Sequence, residues 1–217
     1  MTVLAVPPAG RHSEFMPPVV DTLLCTNPNS LLWHEAGEVE AQVFIDNNYV
    51  RTKEELDREC HPYLPASAML ALVNDGEVIG ASRITEYLPG IGLKTVHDII
   101  KGRLAVSAEG VAILKGLDKT RTMETGTIAL REEYRGRHGR KHVGWLYAGI
   151  YGFAVERGYD TVIASFDEGY YGGFERRFSP AVRPLGPPTM YMGSLTVPAV
   201  IDVPRVNPDK FGIPKTR

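Results

Sequence analysis

Residues 123–157 constrain the fold more than any other part of the chain. METGTIAL, residues 123–130, alternates well enough for a half-buried strand. EEYRGRHGRK, residues 132–141, follows almost at once and is crowded with Gly, Arg, His and Lys. HVGWLYAGIYGFAVER, residues 142–157, is apolar on nearly every helical face, so a helix over 141–157 must be largely buried. Its glycines each cost roughly 1 kcal/mol of helix propensity, and close approach to a sheet or a ligand is the expected compensation. Gly158 supplies a C-terminal cap. A strand that delivers backbone amides and cations to a helix N-terminus is a physical design for holding phosphate.

The flanking sequence completes a single sheet. Residues 31–50 have helical spacing through Val39, Val43 and Phe44, and residues 53–60 form a short polar helix or ordered loop. Residues 69–73 and 77–85 flank Asn74-Asp75-Gly76, a hairpin turn signal. A loop at 89–93 and a short helix at 95–101 lead into a weakly patterned stretch ending near Lys119. A buried strand at 161–166, a helix at 168–178 and two late strands at 181–185 and 190–196 follow. Proline density makes residues 1–30 an irregular arm and 198–217 a tail, leaving 31–197 as the domain. Helices interleaved with a mixed sheet indicate an α/β or α+β domain.

Composition narrows the function classes. The chain has 217 residues and a net charge of −2, which gives no global electrostatic case for nucleic acid. The cations are concentrated locally, at Arg131, Arg135, Arg137, Arg140 and Lys141. Cys25 and Cys60 make neither a disulfide framework nor a metal spacing, so a reducing cytoplasm is expected. The apolar run at 143–155 is shorter than the ~20 residues that span a bilayer, and the first residues do not read as a signal peptide. His138 and His142 have no obvious third ligand, so no metal site is expected.

Several segments carry a resemblance. YRGRHGR at 134–140, between strand and helix, resembles the acyl-CoA-binding motif of the GNAT superfamily of N-acetyltransferases. GYDTVIA at 158–164 resembles that superfamily's next strand, and FERRF at 174–178 its closing segment. GEVIGASR at 76–83 resembles the hairpin of acyl-homoserine-lactone synthases and N-acyl amino acid synthases. Residues 40–50 resemble their early helix and MYMG at 190–193 their late strand. His138 and Arg140 stand where the superfamily pattern has small residues, and Gly126-Thr127 stand where the lactone synthases have Ser-Arg.

The resemblance implies a mixed, mostly antiparallel central sheet flanked by helices. It implies an N-acyltransferase whose co-substrate is acyl-CoA or the phosphopantetheine of an acyl-carrier protein, and whose acceptor is a small-molecule amine such as an amino acid. The donor would lie along Ile128, Ala129 and Leu130. Its phosphates would meet Arg135, Gly136, Arg137, His138, Gly139, Arg140 and Lys141. Departure from the lactone-synthase pattern favours transfer of a chain longer than acetyl over lactone formation. The alternatives are a plain acetyl-CoA-dependent acetyltransferase and a non-catalytic domain that binds acyl-CoA or a partner. A monomer or homodimer is expected.

Acyl transfer needs a polarised carbonyl, a deprotonated amine, close approach and a stabilised leaving thiolate. Glu124 is the candidate base; the competing role is an ion pair with Arg83 or Arg121. Arg83 is the candidate clamp for an acceptor carboxylate, or else a structural ion pair, with Glu124 as one partner. Tyr171, with Tyr170 beside it, is the candidate proton donor to the thiolate, although tyrosines at such positions more often serve packing.

Overall fold

The computed structural model describes residues 20–28 and 30–211; the rest of the N-terminal arm and of the tail lies outside the described residues. The elements run β1 (Val20–Thr26), α1 (Leu31–Asp46), α2 (Lys53–Cys60), β2 (Ser67–Asn74) and β3 (Glu77–Glu86). Next come α3 (Lys94–Ile100), α4 (Ala108–Gly116), β4 (Thr122–Thr125), β5 (Ala129–Leu130) and α5 (Gly136–Arg157). The last are β6 (Thr161–Asp167), α6 (Glu168–Phe178), β7 (Val182–Pro184), β8 (Thr189–Tyr191) and β9 (Ser194–Asp202). They form one mixed α/β sheet ordered β1-β2-β3-β4-β6-β9-β7, with β5 added to β3 and β8 to β9. Every pairing is antiparallel except β4 with β6, the pair that α5 connects.

The β4–β6 pairing lasts only from Thr122↔Thr161 to Thr125↔Ala164. Beyond it the two strands part. The Gly126 N–H still donates to the Arg83 carbonyl at 2.9 Å, but the Arg83 N–H donates to the Thr127 hydroxyl at 3.1 Å. The Ser82 hydroxyl donates to the Thr127 carbonyl at 2.6 Å. Side chains thus replace ladder bonds over residues 126–128, and β5 resumes on β3 at Ala81↔Ala129. β6 continues with β9 to Asp167↔Thr196, so a gap opens between β5 and the end of β6.

Apolar side chains cover both faces. On one, Ile150, Phe153 and Ala154 of α5 pack with Ile84, Met123 and Val162, and Phe178 of α6 joins them. On the other, Trp33, Ala36 and Val39 of α1 meet Met69, Ala71, Ala81 and Ala129. Leu93 packs with Ile163, Leu185 and Val200 beside them. No helix among the described residues is long and apolar enough to cross a membrane.

Several boundaries differ from the sequence reading. Residues 20–26, placed in the irregular arm, form β1 and pair with the edge of β2 from Thr26↔Met69 to Val20↔Asn74. The single strand at 123–130 is divided by the side-chain-bonded kink just described. Helix α5 starts at Gly136 rather than residue 141, because the Gly/Arg segment forms its first turns. The weakly patterned stretch contains α4, capped by Ser107. The late strand at 190–196 is the β8–β9 hairpin, turning at Met192 (φ 46°) and Gly193 (φ 82°). Pro198, taken as the start of a tail, sits inside β9, where its carbonyl accepts the Leu185 N–H at 2.7 Å.

Candidate active site

A cavity of about 710 Å³ occupies the gap where β4 and β6 part. At one end lies the start of α5, with Arg135, Gly136, Gly139 and Arg140. The middle is walled by Ile128, Val143, Tyr147, Phe166 and Phe174. The other end reaches Arg83, Glu124, Thr95, Lys94 and Tyr191 on the face of the sheet covered by α1 and α3. The sheet edge explains the position: past Ala164, no strand among the described residues pairs with β6 on the side that β4 had occupied, so backbone polar groups there face the cavity.

Glu124 is buried, 3% exposed, at the next-to-last paired position of β4. Its carboxylate accepts the Thr95 N–H at 3.1 Å to each oxygen and the Thr95 hydroxyl at 2.8 Å. Burial pushes its pKa up to about 7, against those donors and the Lys94 ammonium. A carboxyl poised there exchanges protons near neutral pH. The ion pair with Arg83 or Arg121 weighed from sequence does not form: Arg83 pairs with Glu40 and Arg121 with Asp160.

Arg83 is also buried, and its Nε donates to Glu40 Oε1 at 3.0 Å while Nη2 makes a shorter bond to Oε2. Glu40, fully buried on α1, accepts in addition the Thr127 hydroxyl at 2.9 Å. The bidentate edge expected to clamp an acceptor carboxylate is therefore already in use. Arg83 Nη1 alone has no partner among the described residues, and the residue lines the cavity.

The anion-binding candidates separate by position. Helix α5 begins after Arg135, whose side chain does not cap its N-terminus, and among the described residues its first amides are left to a ligand or water. Gly139 is a tight contact: a Cβ there would lie 2.6 Å from the Tyr134 carbonyl oxygen. Arg135 is tied down, Nε to the Leu130 carbonyl at 2.7 Å and Nη2 to Asp46 at 3.1 Å. Ile128, Leu130, Gly136 and Arg140 line the cavity; Ala129 points away into the α1 cluster, and Lys141 is not part of the wall. The side chains of Arg137 and His138 lie outside the described residues.

Tyr171 does not reach the cavity. Helix α6 turns it toward the core against Phe166, and its hydroxyl donates to Glu175 at 3.1 Å. Tyr170, one position earlier, is 64% exposed and lines the cavity. Sequence reasoning missed Thr95, whose hydroxyl also lies 2.9 Å from Ser165 Oγ. It missed as well a polar cluster in which Lys94 bonds Tyr191 and Asp98, and Tyr191 donates to Asp98 at 2.6 Å. Thr95 and Lys94 begin a helix, and no local pattern announces that a strand carboxylate will face them.

Solved structures place this architecture. The N-acyl amino acid synthase FeeM from uncultured soil microbes superposes with a TM-score of 0.60 at 14% identity, over 84% of this chain and 92% of that one. The chain has the fold of an acyl synthase. The acyl-homoserine-lactone synthase LasI matches with a TM-score of 0.57 at 15% identity, over 83% of this chain and 89% of its own. The CoA-dependent synthase BjaI, solved with SAM and isopentyl-CoA, matches at 0.55 and 16% identity, over 89% and 90%. No family model matches the sequence, and no curated protein does. The fold is thus shared with these structures at no more than 16% sequence identity.

Proposed function

We propose that this chain is an N-acyltransferase that moves an acyl group longer than acetyl from a thioester donor to the amine of a small molecule such as an amino acid. One observation carries the reading: a buried carboxyl, Glu124, is poised near neutral pH where two strands part around a cavity that begins at an uncapped helix N-terminus. The α5 end suits the diphosphate of CoA, or the single phosphate of a carrier-protein phosphopantetheine, through the amides from Gly136 and the Arg140 side chain. The free edge of β6 supplies peptide groups for the pantetheine amides. The apolar middle suits an alkyl chain, and the Glu124 end takes the acceptor.

In this scheme the neutral amine attacks the thioester carbonyl, and Glu124 accepts the proton that the new C–N bond makes acidic. Arg83 Nη1 offers one hydrogen bond to an oxygen of the acceptor. Cys25 and Cys60 are free thiols, and burial raises Cys60 to about 12, so neither competes as a nucleophile. Acyl-CoA, acyl-carrier donors and free thiols share a reducing cytoplasm, where we place the reaction.

The test is thiol release from acetyl-, octanoyl- and palmitoyl-CoA and from octanoyl-carrier protein across a panel of amino acids and amines, with products weighed by mass spectrometry. We expect amide product and a higher kcat/KM for octanoyl than for acetyl donors. Preference for acetyl-CoA would replace this reading with an acetyltransferase. Donor binding without turnover on any amine would replace it with a binding domain.

A further inference from the structure

With Tyr171 turned into the core, the departing thiolate lacks its expected proton donor. Three cavity-lining tyrosines are already engaged: Tyr49 with Asp167, Tyr63 with His97, Tyr191 with Asp98. The opposite lip of the gap, on β6, carries Ser165, half-buried and lining the cavity. Its hydroxyl is 2.9 Å from Thr95 Oγ1, which is 2.8 Å from Glu124 Oε1. Three exchangeable groups therefore run in hydrogen-bonded contact from β4, through α3, to β6. They span the two lips between which a thioester would have to react.

We propose that Ser165 is the group that protonates the leaving thiolate, and that Thr95 relays to it the proton taken by Glu124. The inference rests on the acyltransferase reading above. The C–N bond forms and the C–S bond breaks. The proton on the amine nitrogen passes to the Glu124 carboxylate. Glu124 returns a proton to Thr95 Oγ1 as Thr95 gives its own to Ser165 Oγ, and the Ser165 proton ends on sulfur. Every group but the amine and the thiol is restored, and no further reactant is needed. The bonds permit both directions of the relay: Thr95 donates to the ionised carboxylate before the reaction, and accepts from the carboxylic acid after it. Thr95 acts through Glu124 and Ser165 and is a positioning residue; Ser165 meets the sulfur.

The test varies the leaving group. Protonation speeds the departure of an alkyl thiolate, whereas the much less basic 4-nitrophenyl thiolate gains little from it. Octanoyl-CoA and S-(4-nitrophenyl) thiooctanoate are compared with one amine, and each variant's rate is divided by that of the unaltered protein on the same donor. For Ser165→Ala and Thr95→Val we expect a fall on the order of 10²-fold with octanoyl-CoA and a ratio near one with the aryl ester. Thr95→Ser should behave as the unaltered protein on both donors, and Glu124→Gln should be slow on both. Equal losses on both donors for Ser165→Ala, or no loss on either, would overturn the relay while leaving the acyltransferase reading intact. A leaving-group-dependent loss in Tyr170→Phe or Tyr147→Phe, with Ser165→Ala unaffected, would assign the donor to that tyrosine. No turnover of either donor by the unaltered protein would overturn both readings together.

Discussion

At the scale of single residues, two buried carboxylates, Glu124 on β4 and Glu40 on α1, have different partners, and their replacement should act in opposite ways. Glu124 is raised to about 7 chiefly by burial, so its folded-state value lies above the ordinary 4.5. The native state then binds this proton more tightly than the unfolded chain does. The penalty is absent below about pH 4.5, accumulates as pH rises toward 7 and is constant beyond. Glu124→Gln removes it. Chemical denaturation should show the variant gaining stability over the parent between pH 4.5 and 7, by up to roughly 3 kcal/mol. Its activity should fall at every pH, while the parent's kcat/KM should rise through about pH 7 as the carboxylate forms. A variant that is both active and unchanged in pH profile would remove Glu124 from the chemistry. Glu40 is the contrary case, paired with Arg83 and bonded to Thr127. Glu40→Ala leaves a guanidinium buried without its counter-ion, and urea unfolding should show a loss of about 3–5 kcal/mol. Replacing both partners with Met should recover much of that loss.

At the scale of elements, legibility follows the range of the interactions. The β2–β3 hairpin was readable because its turn is encoded locally: Asp75 and Gly76 adopt φ 50° and 81° between two apolar runs. Helix α6 was readable because Asp167 caps the Gly169 amide at its start. Helix α4 was not, since it docks through the absence of a side chain: a Cβ on Gly110 would lie 1.8 Å from the Leu185 carbonyl oxygen. The site divides in the same way. Arg83 and Glu124 announce themselves as charges inside strand-patterned segments, but their partners Glu40 and Thr95 lie 43 and 29 residues away in sequence, and no local pattern links them. The start of α5 combines both kinds of information. Its cations are plain in the sequence, whereas the need for Gly139 arises only when the helix meets the turn at Tyr134. Gly139→Ala should force that contact apart, lowering stability by about 1–3 kcal/mol and weakening CoA binding by calorimetry. Gly136→Ala meets no neighbouring atom but inherits φ 77°, so its cost should be backbone strain of about 1 kcal/mol.

At the scale of the whole molecule, the sheet is two sub-sheets joined at one short seam. β1, β2, β3 and β5 lie on one side and β9, β7 and β8 on the other, and among the described residues the parallel β4–β6 pairing from Thr122↔Thr161 to Thr125↔Ala164 is their only strand-to-strand link. The cavity begins where that seam ends, so a ligand seated in it would bridge the halves and substitute for missing strand contacts. Such binding stabilises the native state by about 2.7 kcal/mol when the ligand is at 100 times its Kd. For a domain of this size that corresponds to a Tm rise of roughly 5–10 °C. Octanoyl-CoA should produce this rise, and amide hydrogen exchange should slow on both lips of the gap, at residues 126–130 and 165–167, as well as at the start of α5. Glu124→Gln should show the same protection, because the carboxyl serves the reaction rather than the seating of the donor. Protection confined to one lip would mean that the donor lies on a single sub-sheet, and with it the reason for placing the reaction between Glu124 and Ser165 would go.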